Sequence, residues 1–138
     1  MPGIDECLLE AMRLPGARGA ALVDWTSGLA LGAVGDFPGG DHEAAAAEAA
    51  EVARLTAEQR AFAPEGYDAG HEGDAEGAAD PPVEDLIISN RDSYHLLRFV
   101  PTSFDSSVFL HVWLGRSDGN LALARIRLGE MAGRLVLG

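Results

Sequence analysis

Two histidines lie on strand-like runs in the second half of the chain: His95 in SYHLLRFV (93–100) and His111 in SSVFLHVWL (106–114). Imidazole is the one side chain whose ordinary titration falls near neutral pH, and it is the commonest metal ligand. Two of them on one sheet face would make either a metal pair or a proton-sensitive contact. A metal centre needs a third and usually a fourth ligand. His42 stands at a helix start and His71 in a loop, and no ligand spacing ties either to the strands. The expectation is therefore no metal. His95 and His111 read as packed rings with satisfied nitrogens, under a helix or at an interface.

The other residues that could do chemistry lead to less. Asp24 and Ser27 could be written into a triad with a distant histidine, but Ser27 falls in a hairpin turn. Arg125, Arg127 and Arg134 could supply an arginine finger, yet their spacing is that of solvated charges toward the end of a helix. Acids crowd residues 63–83 without the spacing of a calcium loop. The single cysteine, Cys7, follows Asp5 and Glu6, which would raise its pKa, so it reads as a small apolar residue. The sequence contains no phosphate-cradling G-x-x-x-x-G-K-[ST], no H-E-x-x-H and no C-x-x-C. No catalytic residue and no cofactor is expected, and the reading is recognition, not catalysis.

Charge narrows the partners. The formal net charge is −12, and all ten positive residues are arginine. A surface this acidic does not suit nucleic acid or anionic membrane, since phosphates are held by basic patches. No apolar run approaches the roughly 18–20 residues that span a bilayer. The opening MPGIDECLLEAMRLPG has no basic stretch of the signal-peptide kind, so a cytoplasmic location is expected. A length of 138 residues suits a single domain.

The elements that must position these residues follow from periodicity. Ile4–Leu14 has helical spacing and stops at Pro15-Gly16. ARGAALVD (17–24) and GLALGAV (28–34) are strands around a turn in which Gly28 can take positive φ. The small residues Ala20, Ala21, Ala30 and Gly32 would let a helix approach this hairpin closely. Asp41 is an N-cap for a helix running to about Phe62, rich in Ala, Glu and Arg. Ala45, Ala49, Val52, Leu55 and Phe62 fall near one stripe of it. That stripe either meets a partner or docks on the chain's own sheet. Residues 63–83 lack large apolar side chains and read as an acidic loop. EDLIISN (84–90) and the two histidine-bearing runs are strands, and 117–128 turns helical, with Ser117 or Asp118 as its cap.

Alternation divides the last strands into two faces. Leu96, Val100, Val108, Leu110, Val112 and Leu114 form an aliphatic core face. His95, Leu97, Phe99, Phe109, His111 and Trp113 form an aromatic, half-polar one. With the connecting loop centred near Ser103, His95 falls opposite His111. Both faces are apolar, so the sheet must be covered on both sides or shared with a partner.

The order helix, strand, strand, helix, three strands, helix, with VDWTSGLALG (23–32) at the first hairpin and NLALARIRL (120–128) opening the last helix, resembles the roadblock/dynein light chain family over nearly the whole chain. The resemblance implies an α/β (α+β) sandwich of profilin-like or longin-like type: a five-stranded antiparallel sheet with helices on both faces, order αββαβββα, across residues 1–138 with the acidic insertion at about 63–83. It implies a homodimer in which the central helix and an edge strand meet their copies, which nominates Ala45, Ala49, Val52, Leu55, Leu86 and Ile88 as interface residues. It further implies a scaffold or regulator of a small Ras-like GTPase, with GTPase activation as one form of that role. Actinobacterial relatives add a histidine kinase-like protein of the same operon as a partner. The other reading left open is a small-ligand sensor with a profilin-like fold, its pocket lined by His95, Phe99, His111 and Trp113.

Overall fold

The computed structural model describes residues 3–66, 81–101 and 107–135. Helix α1 (Ile4–Ala11) precedes strands β1 (Ala17–Asp24) and β2 (Leu29–Gly35). Helix α2 (His42–Glu58) follows, then β3 (Asp85–Ser89), β4 (Ser93–Phe99), β5 (Val108–Gly115) and helix α3 (Leu121–Arg134). The five strands form one antiparallel sheet in the order β2-β1-β5-β4-β3. This is the sandwich that the resemblance implied, with the late strand β5 inserted beside β1.

Local chemistry explains the turns. Asp24 Oδ1 accepts hydrogen bonds from the Thr26 amide at 3.0 Å and the Thr26 hydroxyl at 2.7 Å, and Gly28 takes φ +78° to close the β1–β2 turn. Asn90 Oδ1 accepts from the amides of Asp92 and Ser93, which closes the β3–β4 turn. Asp41 caps α2 by accepting from the Glu43 and Ala44 amides. α2 ends at Glu58, because Gln59 adopts extended ψ, and a short 3-10 turn at 60–62 replaces its expected last turn. α3 starts later than expected: Asn120, not Ser117 or Asp118, is its cap and accepts from the Leu123 amide at 3.0 Å.

Each sheet face has its own core. Leu22, Leu96, Val100, Val108, Leu110, Val112 and Leu114 pack with Leu8 of α1 and Ala124, Leu128 and Met131 of α3. The aliphatic face is thus the main core, as alternation indicated. The other core joins Val23, Leu97, Phe99 and Phe109 to Phe37 and to Ala46, Ala50 and Ala53 of α2. α2 seats on its own sheet through these three alanines, one position along from the stripe read in the sequence.

Candidate functional site

α2 packs on β2 and β1, at one end of the sheet order. Among the described residues no helix lies directly over the other end of that face, β4 and the edge strand β3. A groove of about 300 Å³ remains between helix and edge strand. Ala45, Glu48, Ala49 and Val52 of α2 form one wall and Ile88 of β3 the other. His95, Leu97 and His111 line it from the sheet, with Pro38 completing it. Val52, Leu55 and Ile88 are exposed beside it.

The histidines meet in this groove. The pairing of β4 with β5 places His95 opposite Trp113 and Leu97 opposite His111. The expected register, with His95 directly opposite His111, is off by one position per strand. The Val100 amide donates to the Val108 carbonyl, which fixes this register. His95 and His111 are diagonal neighbours, and they still touch: His95 Nδ1 and His111 Nε2 are 2.9 Å apart, with ring centroids at 5.1 Å. One ring donates and the other accepts. On its far side His95 stacks on Trp113 at 6.1 Å and 12° between planes, and Arg18 lies over the Trp113 ring at 5.1 Å.

His111 is 5% exposed. Ala21 of β1 faces it and leaves room for the ring, and Phe37 packs against it at 5.4 Å. The sequence marked Phe37 only as part of a break, since a single aromatic before Pro-Gly-Gly carries no periodic signal. The ring nitrogens are not all satisfied, contrary to expectation: His111 Nδ1 is buried with no hydrogen-bond partner among the described residues, and so is Trp113 Nε1. Burial pushes the His111 imidazole down to about 3, and the neighbouring His95 adds to the effect. Burial also lowers the His95 pKa. The pair is neutral at pH 7.

Of the six nominated interface residues, Ala45, Ala49, Val52 and Ile88 converge on this groove. Leu55 is exposed one turn beyond Val52 on α2, and Leu86 packs against the second core. Glu48 joins the wall without having been singled out, because an acid on an alanine-rich helix reads as a solvated charge.

The remaining candidates are structural. Asp24 is committed to its turn and also accepts from the Ser107 hydroxyl at 3.1 Å, while the Ser27 hydroxyl accepts from the Leu29 amide. Arg125 and Arg134 are not free charges: Arg125 binds Asp85 at 2.7 Å and Arg134 binds Glu10 at 3.1 Å. Cys7 is a buried residue of α1, and its thiol pKa is raised by burial first and by Glu10 second, not by the adjacent Asp5 and Glu6. Among the described residues no group of three or more His, Cys, Asp or Glu side chains is placed to hold a metal. His71 and most of the acidic segment lie outside the described residues. No described helix is long and apolar enough to cross a membrane.

No model of a known protein family matches the sequence, and no curated protein does. Solved structures do match. Myxococcus xanthus MglB aligns with a TM-score of 0.66 at 16% identity, covering 94% of this chain and 88% of that one. A Roadblock/LC7 domain from Streptomyces avermitilis aligns with a TM-score of 0.66 at 17% identity, covering 95% and 92%. An MglB structure described as having a tetrameric arrangement aligns with a TM-score of 0.59 at 16% identity, covering 94% and 87%. At these identities the likeness is one of architecture, and by architecture this chain has a roadblock-like fold.

Proposed function

We propose that this chain is a non-enzymatic interaction module that self-associates through α2 and β3 and acts as a scaffold or regulator of a small Ras-like GTPase. The observation that carries the reading is the exposed apolar rim of Val52, Leu55 and Ile88, set beside the outer edge of β3. Among the described residues β3 pairs with β4 on one side only, so its other edge offers backbone groups to a further strand. A second copy placed there would extend the sheet, and its α2 would cover the rim. The tetrameric arrangement described for an MglB of the same architecture supports self-association.

The GTPase role rests on the resemblance carried by the first hairpin and the last helix. It goes with a cytoplasmic location, with GTPase activation as one form of regulation and a histidine kinase-like protein of the same operon as a further partner. Light scattering on the full chain at tens of micromolar is the first test, and a dimer is expected. Ile88→Asp should give a folded monomer. The second test is binding to small GTPases encoded beside the gene. A wild-type monomer at that concentration removes the self-association, and failure to bind any such GTPase removes the partner.

A further inference from the structure

We propose that contact between His95 and His111 makes self-association through this groove proton-sensitive, with acidification driving the copies apart. The inference rests on the self-association reading above and adds its regulation.

The geometry supplies the argument. The two ring nitrogens lie 2.9 Å apart, so a single proton sits between them and two imidazolium ions cannot share the site. His111 is buried, which leaves His95, half-buried in the groove, as the ring that takes up a further proton. A second copy seated on the Val52 and Ile88 walls removes the water that would solvate a charged His95. The protonated chain therefore associates less well than the neutral one. By linkage, association expels the proton, and affinity falls once the pH drops below the titration of the free chain.

The groups facing the pair do not offset this. α2 presents Ala45, Ala49 and the exposed Glu48; β3 presents Ile88; β1 presents Ala21; the segment before α2 presents Phe37 and Pro38. Arg18 lies over Trp113, on which His95 stacks, and also opposes a charge on His95. Burial lowers the His95 pKa.

The overall charge predicts the opposite sign. Two chains of net charge −12 repel, and acidification weakens that repulsion. General electrostatics would tighten association at lower pH, whereas the histidine pair loosens it.

Sedimentation equilibrium on the full chain at about pH 7.5 and about pH 5.5 tests this, with circular dichroism to follow folding. The dissociation constant should rise by roughly tenfold or more on acidification, and His95→Gln should abolish the rise. Affinity that is unchanged or tighter at the lower pH overturns the inference. So does an equal loss in His95→Gln, or a loss that merely tracks unfolding. A wild-type chain that is monomeric at both pH values overturns the self-association reading itself, a result distinct from a pH-independent dimer. As a second readout, His95 should titrate at lower pH by NMR in the wild-type dimer than in a monomeric Ile88→Asn chain, a neutral change because residue 88 pairs directly with His95, and identical midpoints also overturn the proposal.

Discussion

His111 occupies the middle of the sheet, on a strand with a neighbour on either side, and its ring is held against Phe37 and His95. Its folded pKa is about 3, against an ordinary value of 6.5. The unfolded chain binds a proton that the folded chain refuses. The stability this protects is complete above about pH 6.5 and is lost as pH falls toward about 3, at about 1.4 kcal/mol per pH unit. Urea unfolding should show roughly 2 kcal/mol less stability at about pH 5 than at about pH 7. His111→Phe keeps a ring against Phe37 and should flatten most of that slope; an unchanged slope would place the titrating group elsewhere. Gly32 is the second residue where geometry sets the outcome. A Cβ there would stand 2.9 Å from Ile4 Cγ2 and 3.0 Å from Leu8 Cδ1, so α1 rests on this glycine. The crowd of small residues in the first hairpin correctly announced a close helix but not which one, since Ala and Gly permit contact without specifying its partner. Gly32→Val should cost about 1–3 kcal/mol in equilibrium unfolding, by forcing α1 off β2.

α2 has two faces with different duties, and only one was legible in the sequence. The seat on the sheet is Ala46, Ala50 and Ala53, facing Ala21, Ala30 and Ala33 across a flat contact. Alanine repeated along a helix gives almost no amphipathic contrast, so the larger Val52 and Leu55 drew the predicted stripe one position away, onto the outer side. The same weakness hid the true start of α3, where Ser117, Asp118 and Asn120 are all competent caps and only the bond to Leu123 decides among them. Strand faces were easier to read, because period-two alternation of Leu, Val and Phe with a buried partner on each side leaves one solution. The diagonal placement of the histidines was not readable, because it depends on where a loop centres. Substitutions should separate the two faces of α2. Ala50→Leu overfills the seat and should lower stability by about 1–3 kcal/mol. Val52→Asp should leave unfolding within about 0.5 kcal/mol of wild type while lowering self-association measured by light scattering. Equal effects of the two on stability would mean that the outer face also packs within the chain.

At the scale of the whole molecule, the sheet has two edges and the question is which one recruits a copy. β2 carries the more exposed leucines, Leu29 and Leu31. Its pairing with β1 slips between Leu22 and Val23, however, leaving Leu31 as an extra residue in a bulge. A bulge twists an edge and spoils its hydrogen-bonding template. β3 pairs with β4 in unbroken register from Asp85 to Ser89, so its outer edge is regular. Exposure alone would choose β2, and backbone geometry chooses β3. Leu31→Lys should therefore leave the oligomeric state unchanged by light scattering, whereas Ile88→Lys should shift it toward monomer. Charge then sets how strong that association can be. Each copy brings a net charge of −12 to the contact, and Glu48 stands in the groove wall itself. Apolar burial along Val52, Leu55 and Ile88 has to exceed that repulsion. The Debye length is about 10 Å at 0.1 M salt and shortens further above it, so added salt screens the repulsion while leaving the apolar contact intact. Self-association at pH 7.5 should tighten on moving from about 0.05 M to about 0.3 M sodium chloride, read as a falling dissociation constant in sedimentation equilibrium. A dissociation constant that rises instead would mean the copies are held by ion pairs, with the arginines of α3 rather than the apolar rim of α2 and β3 at the contact.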